Sequence, residues 1–133
     1  MTQGDRQLLL KDICARLPYG LKVRCEKYTF PVTVLYAGNV NEVKFAETGG
    51  IEHIGAVMPF LRPMSSMTEE EETQYRKTQD KISVQWDDYG QSIGYVYAST
   101  IKTYDWLNEN HFDYRGLIPM GLALVAPTDM YKK

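Results

Sequence analysis

Asp113-Tyr114-Arg115-Gly116 is the densest polar group in the chain, and it follows Asn110-His111-Phe112 directly. A guanidinium such as that of Arg115 is a planar fork that binds phosphate or carboxylate through two N–H groups at once. Tyr114, and Trp106 shortly before it, offer flat rings on which a planar ligand would stack. Arg62 lies between Leu61 and Pro63, where the proline restricts its backbone, and it supplies a further cation for a groove. Arg62, Trp106, Tyr114 and Arg115 are therefore the candidate ligand-binding residues. A structural role fits the same residues. Asp113 then caps a turn, Arg115 pairs with an acid, Tyr114 and Phe112 pack inside, and Arg62 ties its segment down through backbone carbonyls.

Catalytic chemistry is not spelled out. The chain contains no P-loop, dinucleotide fingerprint, zinc-ligand spacing, zincin helix or nucleophile elbow. His53 and His111 stand alone, and His111 beside Asn110 suits the C-terminal end of a helix, where the dipole favours it. No enzyme activity, cofactor or metal is expected. Ten tyrosines are a raised supply of side chains that add contact area and keep one polar handle.

The elements that must position these residues follow from period and punctuation. Asp5 is expected to cap a helix running to about Leu17, with Leu8, Leu9, Ile13 and Leu17 on one face. Arg6, Lys11, Asp12 and Arg16 are expected mostly on the other. Pro18-Tyr19-Gly20 ends it. Leu21, Val23 and Cys25 then alternate with Lys22, Arg24 and Glu26, the signature of a half-buried strand with Lys22 and Arg24 on its polar face. Further strands are expected over 30–36, 40–46 and 51–58, with turns at Ala37-Gly38-Asn39 and Thr48-Gly49-Gly50. Pro59 to Met67 reads as an irregular connector. Thr68 opens a helix through a capping box with Glu71, and Glu69 to Glu72 read as a solvated first turn. A hairpin or a loop spans 82–98. Ser99 or Thr100 caps a helix that stops near Asn110, and Asp113 caps a short helical turn from Tyr114 to Ile118.

The chain has 133 residues, 44% hydrophobic and 24% charged, which fits a single globular α+β domain over 1–133. The expected architecture is a small, mostly antiparallel sheet with an N-terminal helix and C-terminal helices packed on it. The net charge of −2 gives no strongly basic footprint, so nucleic acid is an unlikely partner. No apolar run reaches the roughly 20 residues that span a bilayer. The start of the chain shows no basic-then-apolar pattern of a secretory signal, so a cytoplasmic setting is expected. Cys14 and Cys25 share no metal or redox spacing and are expected as two buried, reduced thiols.

Three stretches carry a resemblance. They are Leu8-Leu9-Leu10-Lys11-Asp12 through Ala15-Arg16-Leu17-Pro18-Tyr19-Gly20, then Phe60-Leu61-Arg62-Pro63-Met64-Ser65-Ser66-Met67-Thr68-Glu69-Glu70-Glu71, and Asp105-Trp106-Leu107-Asn108 through His111 to Ile118 and on to Ala126-Pro127. Together they cover roughly half the chain, and they resemble small uncharacterised proteins of gut-bacterial phages, prophages and mobile elements. The chain departs from that pattern at Ile118-Pro119-Met120, where a Glu-Lys pair is more usual, and this bears on the length of the last helical turn. The resemblance implies a setting in a bacterial host cell and no particular activity.

Two functions are expected. The first is a non-catalytic phage accessory protein that sequesters an anionic small ligand, such as a nucleotide-type host immune signal. The second is a protein–protein interaction or assembly module that forms a homo-oligomer.

Overall fold

The computed structural model describes residues 1–37, 41–86, 88–90 and 92–132. The expected turn at Gly38-Asn39, together with Val40, Asp87 and Gln91, lies outside them. The fold is α+β, as the sequence predicts, and the chain divides into two compact units, Met1–Ser65 with Asn108–Lys133, and Ser66–Leu107.

In the first unit, helix α1 (Gln3–Arg16) is capped by Thr2, with Asp5 as the returning partner of a capping box. Asp5 is thus the third helical residue rather than the cap. Gly20, at φ 69°, ends the short 3-10 turn Leu17–Tyr19 in the left-handed conformation that glycine adopts without strain. The chain then builds β1 (Lys22–Cys25), β2 (Val32–Ala37), β3 (Glu42–Phe45), β4 (Ile51–His53) and β5 (Val57–Leu61). They lie in the order β4-β3-β2-β1-β5, all antiparallel. A two-residue strand, with the second helical and hairpin elements intervening in the chain, adds parallel to β5 at the far edge.

One face of this sheet and one stripe of α1 make most of the core, from Leu9 and Ile13 to Val23, Val34, Phe45, Val57 and Leu61. Ile54 of a 3-10 turn and Leu117, Leu122 and Ala123 of the C-terminal segment complete it. On the other face Lys22 is half-buried and Arg24 exposed, as their alternation predicts. A bulge between Val34 and Tyr36 turns both Leu35 and Tyr36 outward.

Three expectations need correction here. Cys14 is exposed, and only Cys25 is buried, because position 14 falls off the stripe that carries Leu9 and Ile13. The segment Pro59–Leu61 is strand rather than connector: Pro59 lies opposite Val23, and pairing on the other side of β5 starts only after the proline, at Phe60. Tyr114–Ile118 is a series of turns, not a helix. Gly116 at φ 76° breaks the right-handed path before a helical turn can close.

The second unit holds α2 (Glu69–Lys77), β6 (Asp80–Trp86), β7 (Ser92–Ala98) and α3 (Ile101–Glu109), the last of which runs on past its boundary. The two-residue strand of the first unit, Leu124–Val125, is β8. The capping box of Thr68 and Glu71 forms as predicted. The 82–98 stretch is a hairpin, β6 antiparallel to β7. Thr100 heads α3: its Oγ1 accepts from the Thr103 amide at 3.4 Å, and the Thr103 hydroxyl accepts from the Thr100 amide at 2.9 Å. Both hydroxyls also donate to the Thr78 carbonyl at 2.9 Å, which joins the start of α3 to the end of α2.

Candidate functional site

Helix geometry puts Leu9, Asp12, Ile13 and Arg16 on one stripe, and all four are 0% exposed. The helix therefore carries an ion pair into the protein on its buried face, where the sequence placed Asp12 and Arg16 mostly on the outer one. Asp12 accepts from Arg16 Nε at 3.0 Å through Oδ2 and from Arg16 Nη2 at 3.1 Å through Oδ1. Arg16 Nη2 also donates to the Phe112 carbonyl at 2.7 Å. A second guanidinium arrives from the C-terminal segment: Arg115 Nη1 donates to Asp12 Oδ1 at 2.9 Å, with its side chain 17% exposed.

Tyr114 lies among these cations. Its ring centroid is 4.6 Å from the Arg115 guanidinium carbon and 5.5 Å from that of Arg16. Its hydroxyl donates to Asn108 Oδ1 at 2.9 Å. Arg16 Nη1 is buried and has no hydrogen-bond partner among the described residues. A buried N–H without an acceptor costs about 1–3 kcal/mol, so this corner of the guanidinium is the one unmet demand of the group.

The segment that carries Tyr114 and Arg115 is fixed by its own backbone. Arg62 N donates to the His111 carbonyl and Asp113 N to the Arg62 carbonyl, both at 2.8 Å. The Arg62 guanidinium carbon lies 4.2 Å from the centre of the Phe112 ring. Asp113 accepts from Leu117 N at 2.8 Å and Ile118 N at 2.9 Å, so it closes a run of turns instead of capping the helical turn that the sequence predicts. His111 is the left-handed residue that turns the chain after α3, at φ 60°, and histidine tolerates that region better than most side chains. Its Nε2 donates to the Tyr19 carbonyl at 2.9 Å, because a carbonyl can only accept.

The tail closes over the same region. The Tyr131 ring stacks on His111 with centroids 3.8 Å apart. The Tyr131 hydroxyl donates within 2.7 Å of the Phe60 carbonyl and accepts from Lys22 N at 2.9 Å. Burial pushes its phenol well above the ordinary tyrosine value, outweighing the opposing hydrogen bond from the Lys22 backbone.

Of the four sequence-predicted residues, Arg62, Tyr114 and Arg115 all belong to the first unit. Tyr114 and Arg115 meet directly, and Arg62 joins their segment through Phe112 and Asp113. Trp106 belongs to the second unit and stacks on Tyr75 of α2, centroids 5.9 Å apart at 26°. Sequence reasoning missed Asp12 and Arg16. The signal was present as the spacing 9, 12, 13, 16, which marks one helix face whatever the residues' polarity.

A different kind of surface occupies the second unit. Strand pairing sets Lys81, Tyr95 and Tyr97 on one face of the β6–β7 ribbon and Ile82 with Val96 on the other. All five are exposed, with Tyr95 at 56%. Lys81 Nζ lies 4.2 Å from the Tyr95 ring centre, and the Arg76 guanidinium carbon 4.3 Å from that of Tyr97. Ile101, at 81%, and Tyr104 are exposed on α3.

Among the described residues no group of three His, Cys, Asp or Glu is placed to hold a metal, and no helix is long and apolar enough to cross a membrane. Partial burial pushes the Cys14 thiol above its ordinary value, which lowers its share of reactive thiolate. Compared with protein-family models, curated proteins and solved structures, the chain matches none.

Proposed function

We propose that the chain is a non-catalytic interaction module that assembles with copies of itself through the β6–β7 ribbon and the start of α3. One observation carries this. The ribbon exposes Tyr95 and Tyr97 on one face and Ile82 with Val96 on the other, and among the described residues its strands pair only with each other. A two-stranded ribbon is marginal in water by itself, and open strand edges with apolar faces are what added strands or facing sheets bury. Tyrosine and isoleucine supply the contact area, and Arg76 and Lys81 supply a polar rim. Light scattering across a wide concentration range tests it. Concentration-dependent assembly is expected, weakened in Tyr95→Ser/Tyr97→Ser, and a monomer throughout overturns it.

The sequestration of an anionic ligand, such as a nucleotide-type host signal, is the second proposal. It is supported by the Tyr114 ring lying against two guanidiniums and by the resemblance to phage proteins, which also supports a bacterial cytoplasmic setting. Thermal unfolding and calorimetry with cyclic and linear nucleotides test it, and silence across a broad panel removes it.

A further inference from the structure

Arg16 and Arg115 bring two guanidiniums to a single carboxylate, Asp12, which is the only acid that bonds either of them among the described residues. Asp12 Oδ1 is shared, receiving Arg16 Nη2 and Arg115 Nη1 together. The group therefore holds more positive charge than its ion pairs neutralise, in a place where Arg16 and Asp12 are wholly removed from solvent. Buried charge is costly unless paired and hydrogen-bonded.

The guanidinium of Arg16 is used on three sides. Nε and Nη2 face Asp12, and Nη2 also reaches the Phe112 carbonyl. Nη1 is the donor left over. A water molecule would meet its need for an acceptor and leave the charge unchanged. An oxyanion would meet both. Arg115 is the only member of the trio with exposure, and its contact to Asp12 is a single N–H bond, so it is the arm that can swing to admit a ligand. Tyr114, against both guanidiniums, walls the place without adding charge.

We propose that Arg16, Arg115 and Tyr114 form an oxyanion site, in which Arg16 Nη1 is the fixed anchor and Arg115 the mobile clamp on a phosphate or carboxylate group. This deepens the sequestration proposal by naming its anchor, and it stands apart from assembly through the ribbon. The chemistry shared by phosphate and carboxylate is an anionic oxygen that accepts from a guanidinium N–H. Phosphate offers more oxygens to two guanidiniums than a carboxylate does, so it is expected to bind more tightly.

The experiment uses the full chain at low ionic strength. Inorganic phosphate and acetate are titrated by calorimetry, with sodium chloride at matched ionic strength as reference, while nitrogen-15 resonances of the arginine side chains are followed. Saturable phosphate binding that moves the Arg16 side-chain signals is expected, with acetate weaker. Arg115→Gln is expected to weaken phosphate about tenfold, one hydrogen-bonded charge at the usual conversion, and Arg24→Gln, on the open sheet face, to leave it unchanged. No saturation with either anion, or equal affinity in Arg115→Gln, overturns the site. If Arg115→Gln fails to fold, the wild-type chain decides: Arg16 signals indifferent to phosphate overturn it as well. Phosphate binding without tighter binding of nucleoside monophosphates upholds the site and removes the nucleotide. Nucleotide binding that leaves Arg16 unmoved removes the site and leaves sequestration standing.

Discussion

Arg16 and Arg115 share one oxygen: both donate to Asp12 Oδ1, at 3.1 and 2.9 Å. That shared atom joins the first helix of the chain to its C-terminal segment. It also makes Asp12 the residue on which the local charge balance depends. Asp12→Ala leaves two guanidiniums against the core with no carboxylate, and we predict a loss of about 3–5 kcal/mol. Arg16→Met leaves Asp12 still paired with Arg115 and is predicted to lose less. The double variant Asp12→Leu/Arg16→Met is predicted to lie closer to wild type than Asp12→Ala alone, because it leaves one unpaired guanidinium, that of the partly exposed Arg115, where Asp12→Ala leaves two, one of them wholly buried. Urea unfolding of the three variants checks the order.

Tyr131 ties the tail to the sheet by one hydroxyl. It donates toward the Phe60 carbonyl and accepts from Lys22 N, so one atom serves backbone groups of both β5 and β1. Tyr131→Phe keeps the ring on His111 and removes that atom. A loss of about 1–3 kcal/mol is predicted at neutral pH, since buried backbone groups lose their partner. Thermal unfolding measures it.

The same hydroxyl predicts an alkaline limit. Burial raises the phenol's pKa in the folded chain above the unfolded value of about 10. The folded state thus keeps a proton that the unfolded chain gives up. The contribution is fully present below about pH 10 and is lost as pH rises further. The stability gap between wild type and Tyr131→Phe is predicted to close above pH 10. Denaturant titrations at pH 8 through 11, read as ~0.5-unit steps, test this, and a gap that widens contradicts it.

Asp113 takes two backbone N–H groups, Leu117 and Ile118, while itself nearly buried. Asp113→Ala is predicted to cost about 1–3 kcal/mol, because two backbone N–H groups lose their acceptor. Asp113→Asn, which keeps an acceptor, is predicted to recover part of it. Amide exchange at Leu117 and Ile118 locates the effect, because those two protons lose protection first.

What could be read from the sequence was what neighbours in the chain decide. Thr68 and Glu71 form their capping box because both partners lie within one turn. Val23 and Cys25 face inward because alternation over β1 is unbroken. Asp113 bonds the backbone just ahead of it because its targets are only four and five residues on, though they form turns and not the helical turn expected. Asp12 and Arg16 were misplaced because their burial depends on Arg115 and Phe112 from the other end of the chain. Local polarity says solvent, and only the distant partners reverse it. Pro59 argued against a strand until β1 arrived on one side of it, with β8 pairing only to the residues that follow. At the candidate site the sequence held the cationic and aromatic half, Tyr114 and Arg115, and not the helix that anchors them.

Assembly through the second unit is the claim on which the proposed function stands. Multi-angle light scattering of the wild-type chain and of Tyr95→Ser/Tyr97→Ser, from micromolar to near-millimolar concentration, measures it most directly. A wild-type mass that climbs with concentration, and a variant that stays at the 15.3 kDa of one chain, is the predicted result. A wild-type mass of one chain at every concentration contradicts it.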